Sequence, residues 1–456
     1  MLPFSQNEGI IIALATPPGS GALAIIRLSG DECISLVNQF FTGNDLTDKQ
    51  GYTIHYGNIK DEKNEVVDEV LVSIFRSPRS FTGEEMVEIS CHGSNYIINE
   101  IIRLFLRNGA EMAKPGEFTM RAYMNGKLDL SQAESVGDLI SSKTKFAHDI
   151  ALKQLKGGFS SEIKNLREKL IHFSSLLELE LDFSEEDVEF ADRNDFIRLI
   201  NEIQNVINRL IQSFKLGNVL KNGVPTVIIG RPNAGKSTLL NTLLNEERAL
   251  VSEIAGTTRD TIEEELNING IIFKLIDTAG IREAKDKIEI MGIEKTMTKI
   301  EQSSLIIYIY DSSAPDLNFV AEDLNSLKSN EVPVLMAANK SDLISDRNIT
   351  LPKDHIQISA KSKTDVEQLK NHIFDTIINS SIDSSGLIIT NERHLSLLIK
   401  TSKSLENVLE GLNNKLPGDL VAVDIRLANQ TLGEITGTIS SEDLLKNIFS
   451  SFCIGK

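Results

Sequence analysis

Residues 230–237, GRPNAGKS, have the types and spacing of a phosphate-binding loop. Glycines let backbone N–H groups approach phosphate oxygens, and the helix that begins within the motif adds partial positive charge. Lys236 is therefore expected to contact the β- and γ-phosphates, and the Ser237 hydroxyl to bind Mg²⁺. A strand predicted over residues 225–229 precedes the motif, and a helix is expected to follow it. The alternative, a glycine-rich turn that binds no ligand, does not require this order of strand, loop and helix.

A second motif, DTAG at residues 277–280, follows a strand predicted over residues 271–276. An aspartate at a strand end suits the outer shell of the metal, and the Gly280 N–H can meet the γ-phosphate. Four residues alone are a weak signal, but downstream of a phosphate loop they predict the metal side of the same site.

A third motif, NKSD at residues 339–342, follows a strand predicted over residues 332–338. The Asp342 carboxylate can accept hydrogen bonds from the N1–H and the exocyclic amine of guanine, a donor pair that adenine lacks. Lys340 can lie along the base plane, and residues 359–361, SAK, can close over the base edge. The motif predicts guanine rather than adenine.

Each motif taken singly has a solvated loop as its alternative, but in this order the motifs resemble the GTPase superfamily and predict GTP. The predicted nucleotide-binding residues are Asn233, Ala234, Gly235, Lys236, Ser237, Thr238, Ser252, Glu253, Ile254, Ala255, Gly256, Thr257, Thr258, Asp277, Thr278, Ala279, Gly280, Asn339, Lys340, Asp342, Ser359, Ala360 and Lys361.

The position that usually orients the attacking water does not hold a suitable side chain. Many GTPases have a glutamine directly after DTAG, whereas this chain has Ile281. Hydrolysis is therefore either slow or assisted by another group. In AGTTRD at residues 255–260, Thr258 is the expected switch threonine for Mg²⁺ and the γ-phosphate.

The AGTTRD run, together with the asparagine in the phosphate loop, resembles GTPases that use a potassium ion. The resemblance implies oxygen ligands from Asn233, Ser252, Ile254 and Thr257, a hard donor set that suits this cation. An ordinary loop without a monovalent ion is the alternative.

The composition is that of an ordinary globular protein, with 41% hydrophobic and 25% charged residues. A formal charge of -18 argues against a broad nucleic-acid-binding surface, so contact with RNA is expected to be local or delegated to a partner. Three separated cysteines suggest neither a disulfide framework nor a zinc site. Without a signal peptide or a membrane-spanning run, the expected location is the cytoplasm.

Apolar periodicity predicts a multidomain α/β protein. Residues 1–120 contain predicted strands over 10–16, 22–28, 67–75 and 86–91 and a predicted helix over 96–106, which together predict an N-terminal α+β domain. Residues 121–221 and 381–456 have helical periodicity, including an apolar face over 195–214. Strands alternate with helices over 222–380, which predicts a Ras-like P-loop domain with a mainly parallel sheet, inserted into the helical domain.

The whole chain resembles the MnmE (TrmE) family of tRNA modification GTPases. Beyond the nucleotide motifs, the resemblance rests on ATPPG at 15–19, SFTGE at 80–84, PGEF at 115–118, KLDL at 127–130 and FCIGK at 452–456. It implies a GTP-hydrolysing enzyme that forms the 5-carboxymethylaminomethyl or aminomethyl group on the wobble uridine of certain tRNAs.

For the nucleotide-binding domain, the resemblance implies dimerisation when K⁺ and GTP bind, with Glu289 positioning the water. It also implies a constitutive homodimer and a complex with the flavin-dependent partner MnmG, with tRNA as substrate and no membrane contact.

For the N-terminal domain, the resemblance implies a folate-binding fold that takes 5-formyltetrahydrofolate or a related one-carbon tetrahydrofolate. The implied pocket residues are Arg27, Glu88, Lys127 and Lys456, and a role in the modification chemistry is implied for Cys453. From the residues alone, Arg27 reads as a surface charge, Glu289 as a solvated acid and Cys453 as a small buried hydrophobe.

Two other hypotheses remain open at this point. The nucleotide motifs fit equally a regulatory GTPase of ribosome assembly, although such a factor should carry a basic RNA-binding module. The segments that flank the nucleotide-binding domain could also be scaffold only, with GTP acting as a dimer switch.

Overall fold

A computed structural model describes most of the chain, and the described residues form two compact units. The first unit takes its residues from 1–141, 151–201 and 400–456, and the second from 142–150 and 202–399. The described residues are 9–182, 193–247, 264–276, 300, 303–314, 317–327, 332–344, 355–379 and 387–455.

The first unit is built on a seven-stranded sheet of order β3-β4-β5-β6-β2-β1-β7, in which only the β1–β7 pair is parallel. Its strands are β1 (Ile11–Leu14), β2 (Leu23–Ser29), β3 (Phe41–Thr42), β4 (Thr53–Lys60), β5 (Val66–Phe75), β6 (Met86–His92) and β7 (Glu111–Met112). Alternation along β5 buries Val70, Val72 and Ile74. These side chains pack with helices α1 (Cys33–Phe40) and α2 (Asn95–Arg107) in one core.

Helices follow the sheet along the chain: α3 (Glu117–Met124), α4 (Leu130–Ser141), α5 (Lys145–Leu155), α6 (Gly158–Asp182) and α7 (Arg193–Asn222). Gly157 has φ of 84°, a left-handed conformation that glycine adopts without strain, and it separates α5 from α6.

The second unit contains a six-stranded sheet of order β13-β12-β11-β8-β10-β9. All neighbours are parallel except the β9–β10 hairpin, as expected for βαβ units. The elements are β8 (Val224–Ile229), α8 (Lys236–Glu247), β9 (Glu264–Ile268), β10 (Ile271–Leu275), β11 (Leu305–Asp311), α9 (Asn318–Leu327), β12 (Val334–Asn339), β13 (His355–Gln357) and α10 (Lys363–Asn379).

The chain ends in α11 (Glu392–Asn413), α12 (Gly418–Thr436) and α13 (Glu442–Ser450). Within the first unit, α12 packs against α6, and α13 packs against α3. Phe449 of α13 lies with Leu130 and Ala133 of α4 in a small core, which fixes the start of the C-terminal segment.

The predicted fold class is confirmed: an α+β N-terminal region, helices on both sides of the insertion and a mainly parallel α/β sheet. The predicted strands and the helices near 96–106 and 195–214 are present, with ends shifted by a few residues. Three strands of the first sheet, β3, β4 and β7, were not predicted. No helix in the described ranges is both long enough and apolar enough to cross a membrane.

Candidate active site

The phosphate-loop motif lies between β8 and α8, so the loop leaves the carboxyl end of a central parallel strand and enters a helix N-terminus. Gly235 has φ of 101° and Asn233 has φ of 61°, so the loop turns through left-handed conformations. A Cβ atom at Gly230 would collide with the Ile309 carbonyl. The loop therefore needs glycine where it approaches the neighbouring strand β11.

Asn339, at the end of β12, joins the phosphate loop to the loop of residues 359–361. Its Nδ2 donates to the Ala234 carbonyl at 2.7 Å, and its Oδ1 accepts from the Ala360 N–H at 2.8 Å. Asn339 is only 2% exposed, so neither group can exchange its partner for water without opening the site. The first residue of NKSD is thus the strut that holds both loops.

Lys340 follows with φ of 65°, and its Nζ donates to Oδ2 of Asp311 at the end of β11, at 2.6 Å. Burial raises the pKa of Asp311, but hydrogen bonds from Lys340 and Ser313 outweigh burial and hold the pKa below its ordinary value. An ionised Asp311 therefore anchors the lysine ammonium. Asp342 is exposed in the short 3-10 turn Ser341–Leu343, where its carboxylate can reach a base.

The loop of residues 359–361 is fixed by the start of α10. Asp365, in the first turn, accepts from the Ser359 N–H at 2.7 Å and from the Ser362 hydroxyl at 3.0 Å. The Asp365 N–H in turn donates to the Ser362 hydroxyl at 3.4 Å, so the Ser362 side chain caps the start of α10. The Thr242 hydroxyl of α8 donates to the Ala360 carbonyl at 2.8 Å.

The described motifs leave the carboxyl ends of β8, β12 and β13, and such strand ends are where open α/β sheets bind ligands. The structure brings together Ala234, Gly235, Asn339 and Ala360, whereas Ser237 and Lys361 are exposed. Outside the described residues lie the predicted positions 252–258, 277–280 and 289, and with them the remaining Mg²⁺ and K⁺ ligands.

A second polar site lies on the sheet of the first unit, where Arg27 of β2 stands opposite Glu88 of β6 in the antiparallel register. Arg27 Nε and Nη2 both donate to Glu88 Oε1, at 2.9 and 2.7 Å. The guanidinium carbon lies 5.6 Å from the ring centroids of both Phe81 and Phe118, so two aromatic faces flank the ion pair.

The C-terminal segment reaches this ion pair. Arg27 Nη1 donates to the Gly455 carbonyl at 3.2 Å, and the Gly116 N–H donates to the Cys453 carbonyl at 3.4 Å. Gly455 has φ of 92°, and its Cα lies so close to β1 that an added Cβ would collide with the Leu14 carbonyl. Residues 27, 88 and 453–455, which are distant in sequence, therefore belong to one site.

Lys127 lies at the edge of the same region. Its Nζ donates to the Pro78 carbonyl at 3.0 Å, and its side chain lies against Gly83. Pro78 and Gly83 lie on either side of Phe81 in the sequence, and the Phe81 ring lies beside Arg27. Lys456, the fourth predicted pocket residue, lies outside the described residues.

The cysteines differ in their exposure. Cys453 is exposed, whereas Cys33 and Cys91 are buried in the sheet core. Burial raises the pKa of Cys91 to about 11, with a smaller contribution from Asp68, and burial likewise raises the pKa of Cys33. The expectation of a buried Cys453, drawn from residue type alone, is wrong.

Several residues of the two sites were not identified from the sequence. Phe81 and Phe118 stand inside SFTGE and PGEF, so the motifs marked the segments but not the rings that flank Arg27. Asp311 stands at the end of an apolar strand, and Asp365 stands three residues after Ser362. The end of a strand, for Asp311, and the third residue after a serine at a helix start, for Asp365, are sequence signals that could have identified these carboxylates.

Comparison with known proteins places both units in one family. The family model for the MnmE helical domain matches residues 130–453, and the model for the GTP-binding protein TrmE N-terminus matches residues 10–127. The tRNA modification GTPase MnmE of Cytophaga hutchinsonii is 55% identical over 99% of both chains. MnmE of Flavobacterium psychrophilum is 52% identical over 98% of this chain and 99% of its own.

Proposed function

The chain belongs to the MnmE family of tRNA modification GTPases, and from this premise we propose how its residues act. The family assignment makes it a GTPase that acts in tRNA modification. We propose that, with the flavin-dependent partner MnmG, it forms the 5-carboxymethylaminomethyl or aminomethyl group on the wobble uridine of certain tRNAs in the cytoplasm. The proposed domains are 1–120, 121–221 with 381–456, and 222–380.

The observation that supports the nucleotide site best is the pair of hydrogen bonds through which Asn339 joins the phosphate loop to the 359–361 loop. We propose that these loops hold the phosphates and the base of one GTP, with Lys236 at the phosphates and Asp342 at guanine. Bound Mg²⁺ would offset charge on the phosphates, held through the hydroxyls of Ser237 and Thr258.

We propose that hydrolysis depends on K⁺ and on dimerisation of the nucleotide-binding domain, with Glu289 orienting water. Asn233 supports this proposal, because the residue is exposed, so its side-chain amide is accessible to a ligand of the phosphate loop. The other proposed ligands are Ser252, Ile254 and Thr257. The remaining nucleotide contacts are the motif residues named from the sequence.

We propose that the Arg27–Glu88 site binds 5-formyltetrahydrofolate or a related one-carbon tetrahydrofolate, with Lys127 and Lys456. The guanidinium, the carboxylate and the partly buried Phe81 ring combine charged groups with one aromatic side chain, a combination that suits a flat heterocycle with an acidic tail. The Cys453 backbone lies at this site, so its exposed thiol is available to the modification chemistry.

A rate measurement tests the proposal for hydrolysis. GTP turnover by the full chain is compared in KCl and NaCl of equal ionic strength, for the wild type and for Glu289→Ala. We expect faster turnover in K⁺ for the wild type and a loss of turnover, with GTP binding retained, for the variant. Equal rates in the two salts would remove K⁺ from the mechanism, and unchanged turnover in the variant would remove Glu289.

A further inference from the structure

Arg231 occupies a variable position of the phosphate-loop motif, and its side chain is fixed to helix α9. Nε donates to Oδ2 of Asp323 at 3.0 Å, and Nη2 donates to Oδ1 at 2.9 Å. The guanidinium carbon also lies 4.3 Å from the centroid of the Phe319 ring, one turn earlier on α9. Two parallel hydrogen bonds and a stacked face define both the position and the orientation of the guanidinium.

Asp323 is itself held by the sheet. The Tyr308 hydroxyl of β11 donates to Oδ2 of Asp323 at 2.6 Å, and Tyr308 belongs to the core between β11 and α9. Hydrogen bonds from Arg231 and Tyr308 lower the pKa of Asp323, with burial opposing them, so the carboxylate stays ionised. The contacts run from the phosphate loop through α9 to a central strand.

The main chain at the same position is held from the other side. Lys236 Nζ donates to the carbonyls of Gly230 and Arg231, at 2.6 and 3.0 Å. When GTP binds, the proposed role of Lys236 requires its ammonium to turn to the phosphates. The two hydrogen bonds from Lys236 are then lost, and the contacts of the Arg231 side chain with α9 remain to fix the 230–231 peptide.

We propose that Arg231 and Asp323 form a latch that positions the phosphate loop for nucleotide binding, which makes both of them positioning residues. The inference rests on the proposed nucleotide site. The latch also keeps the Arg231 charge on α9, so Arg231 does not substitute for Lys236 at the phosphates. Because the loop holds the phosphates that GTP and GDP share, both nucleotides should depend on the latch equally.

The pair is partly exposed, which limits its energetic contribution. The Arg231 and Asp323 side chains are 49% and 28% exposed, so solvent screens the ion pair. Because its geometry is bidentate, the pair should contribute as much as the strongest exposed ion pairs. We expect its loss to weaken nucleotide binding about three- to tenfold. Turnover at saturating GTP should change much less, because no reacting atom touches either side chain.

The test is a set of equilibrium dissociation constants for GTP and GDP with the full chain. The variants are Asp323→Asn, Arg231→Gln, the double variant and Arg231→Lys. Glu322→Gln is the matched control, since it removes a neighbouring charge from the same helix without removing these hydrogen bonds. Lys236→Ala tests the underlying site, and circular dichroism confirms that each variant is folded.

We expect Asp323→Asn, Arg231→Gln and the double variant to weaken GTP and GDP binding to the same extent, with Arg231→Lys intermediate and Glu322→Gln unchanged. The latch would be overturned if the losses were additive in the double variant, or if Asp323→Asn and Arg231→Gln bound the nucleotides as tightly as the wild type or more tightly. In that case, loss of binding by Lys236→Ala would still support the nucleotide site. Normal binding by Lys236→Ala would overturn the site and the latch together.

Discussion

The Asn339 side-chain amide donates to the Ala234 carbonyl at 2.7 Å, which ties the end of β12 to the phosphate loop. This contact explains why an asparagine begins the NKSD motif, since a single amide can donate to one loop and accept from the other. The NKSD segment and the phosphate-loop motif are thus coupled through one buried side chain.

Replacing Asn339 by Ala should therefore affect both stability and nucleotide binding. The change leaves the Ala234 carbonyl and the Ala360 N–H without their buried partner, at a cost of about 1–3 kcal/mol. Urea unfolding and GTP titration measure the two effects. Loss of stability with unaltered GTP affinity would show that the strut does not position the nucleotide loops.

Gly235→Ala tests whether the loop needs glycine for space as well as for backbone conformation. An added Cβ would collide with Asn339 Nδ2, so we expect GTP affinity to fall at least about tenfold, equivalent to about 1.4 kcal/mol. Gly109→Ala is the control for the backbone cost in urea unfolding, because Gly109 has the same φ of 101° but open space around its Cβ position, so Gly235→Ala should lose more stability. Equal losses of stability in the two variants, or wild-type GTP affinity in Gly235→Ala, would contradict the collision.

Asp311→Asn should remove a pH-dependent contribution to stability. The pKa of Asp311 is lowered in the folded state, so its contribution is present above the unfolded value of about 3.9 and is lost as pH falls through the folded pKa. We expect the variant to be about 1 kcal/mol less stable at pH 7, and we expect this difference to shrink as the pH falls below the unfolded value and through the lowered folded pKa.

Urea unfolding between pH 3 and pH 7 measures this difference, with Asp375→Asn, an exposed aspartate of α10, as the control. A gap between Asp311→Asn and the wild type that does not narrow as the pH falls would contradict the ionised Asp311–Lys340 pair.

Glu88→Gln should weaken 5-formyltetrahydrofolate binding. It replaces the carboxylate that accepts two hydrogen bonds from Arg27, and charged hydrogen bonds contribute about 1.5–3 kcal/mol, so we expect a loss of about tenfold or more. Calorimetric titration measures it. Glu69→Gln, an exposed position on β5, is the control and should bind normally. Equal binding by both variants would place the folate elsewhere.

Thiol titration should separate the three cysteines. Only Cys453 is exposed, and burial keeps Cys33 and Cys91 protonated, so a disulfide reagent at pH 8 should modify one thiol in the folded chain and three in denaturant. Cys453→Ser should leave none in the folded chain. Rapid reaction of that variant would contradict the burial of the other two.

The described nucleotide motifs could be recognised from the sequence because each is a run of consecutive residues at the end of a predicted strand. Asp323 and Phe81 could not be predicted as site residues, because their partners lie 92 and 54 positions away, and only the fold brings them together. The strand β4 is not predicted because its apolar side chains change face along the strand. Ile54 and Tyr56 are exposed, whereas Ile59 is buried, so no single alternation marks a buried face.

The central claim, GTP hydrolysis used for tRNA wobble uridine modification, is tested most directly by mass spectrometry of tRNA nucleosides. Cells lacking this protein are compared with cells restored by the wild type, Lys236→Ala or Cys453→Ser. We predict that the 5-substituted wobble uridine is absent without the protein, returns with the wild type and does not return with either variant. A nucleoside profile that is unchanged when the protein is absent would contradict the account and make ribosome assembly the function to test.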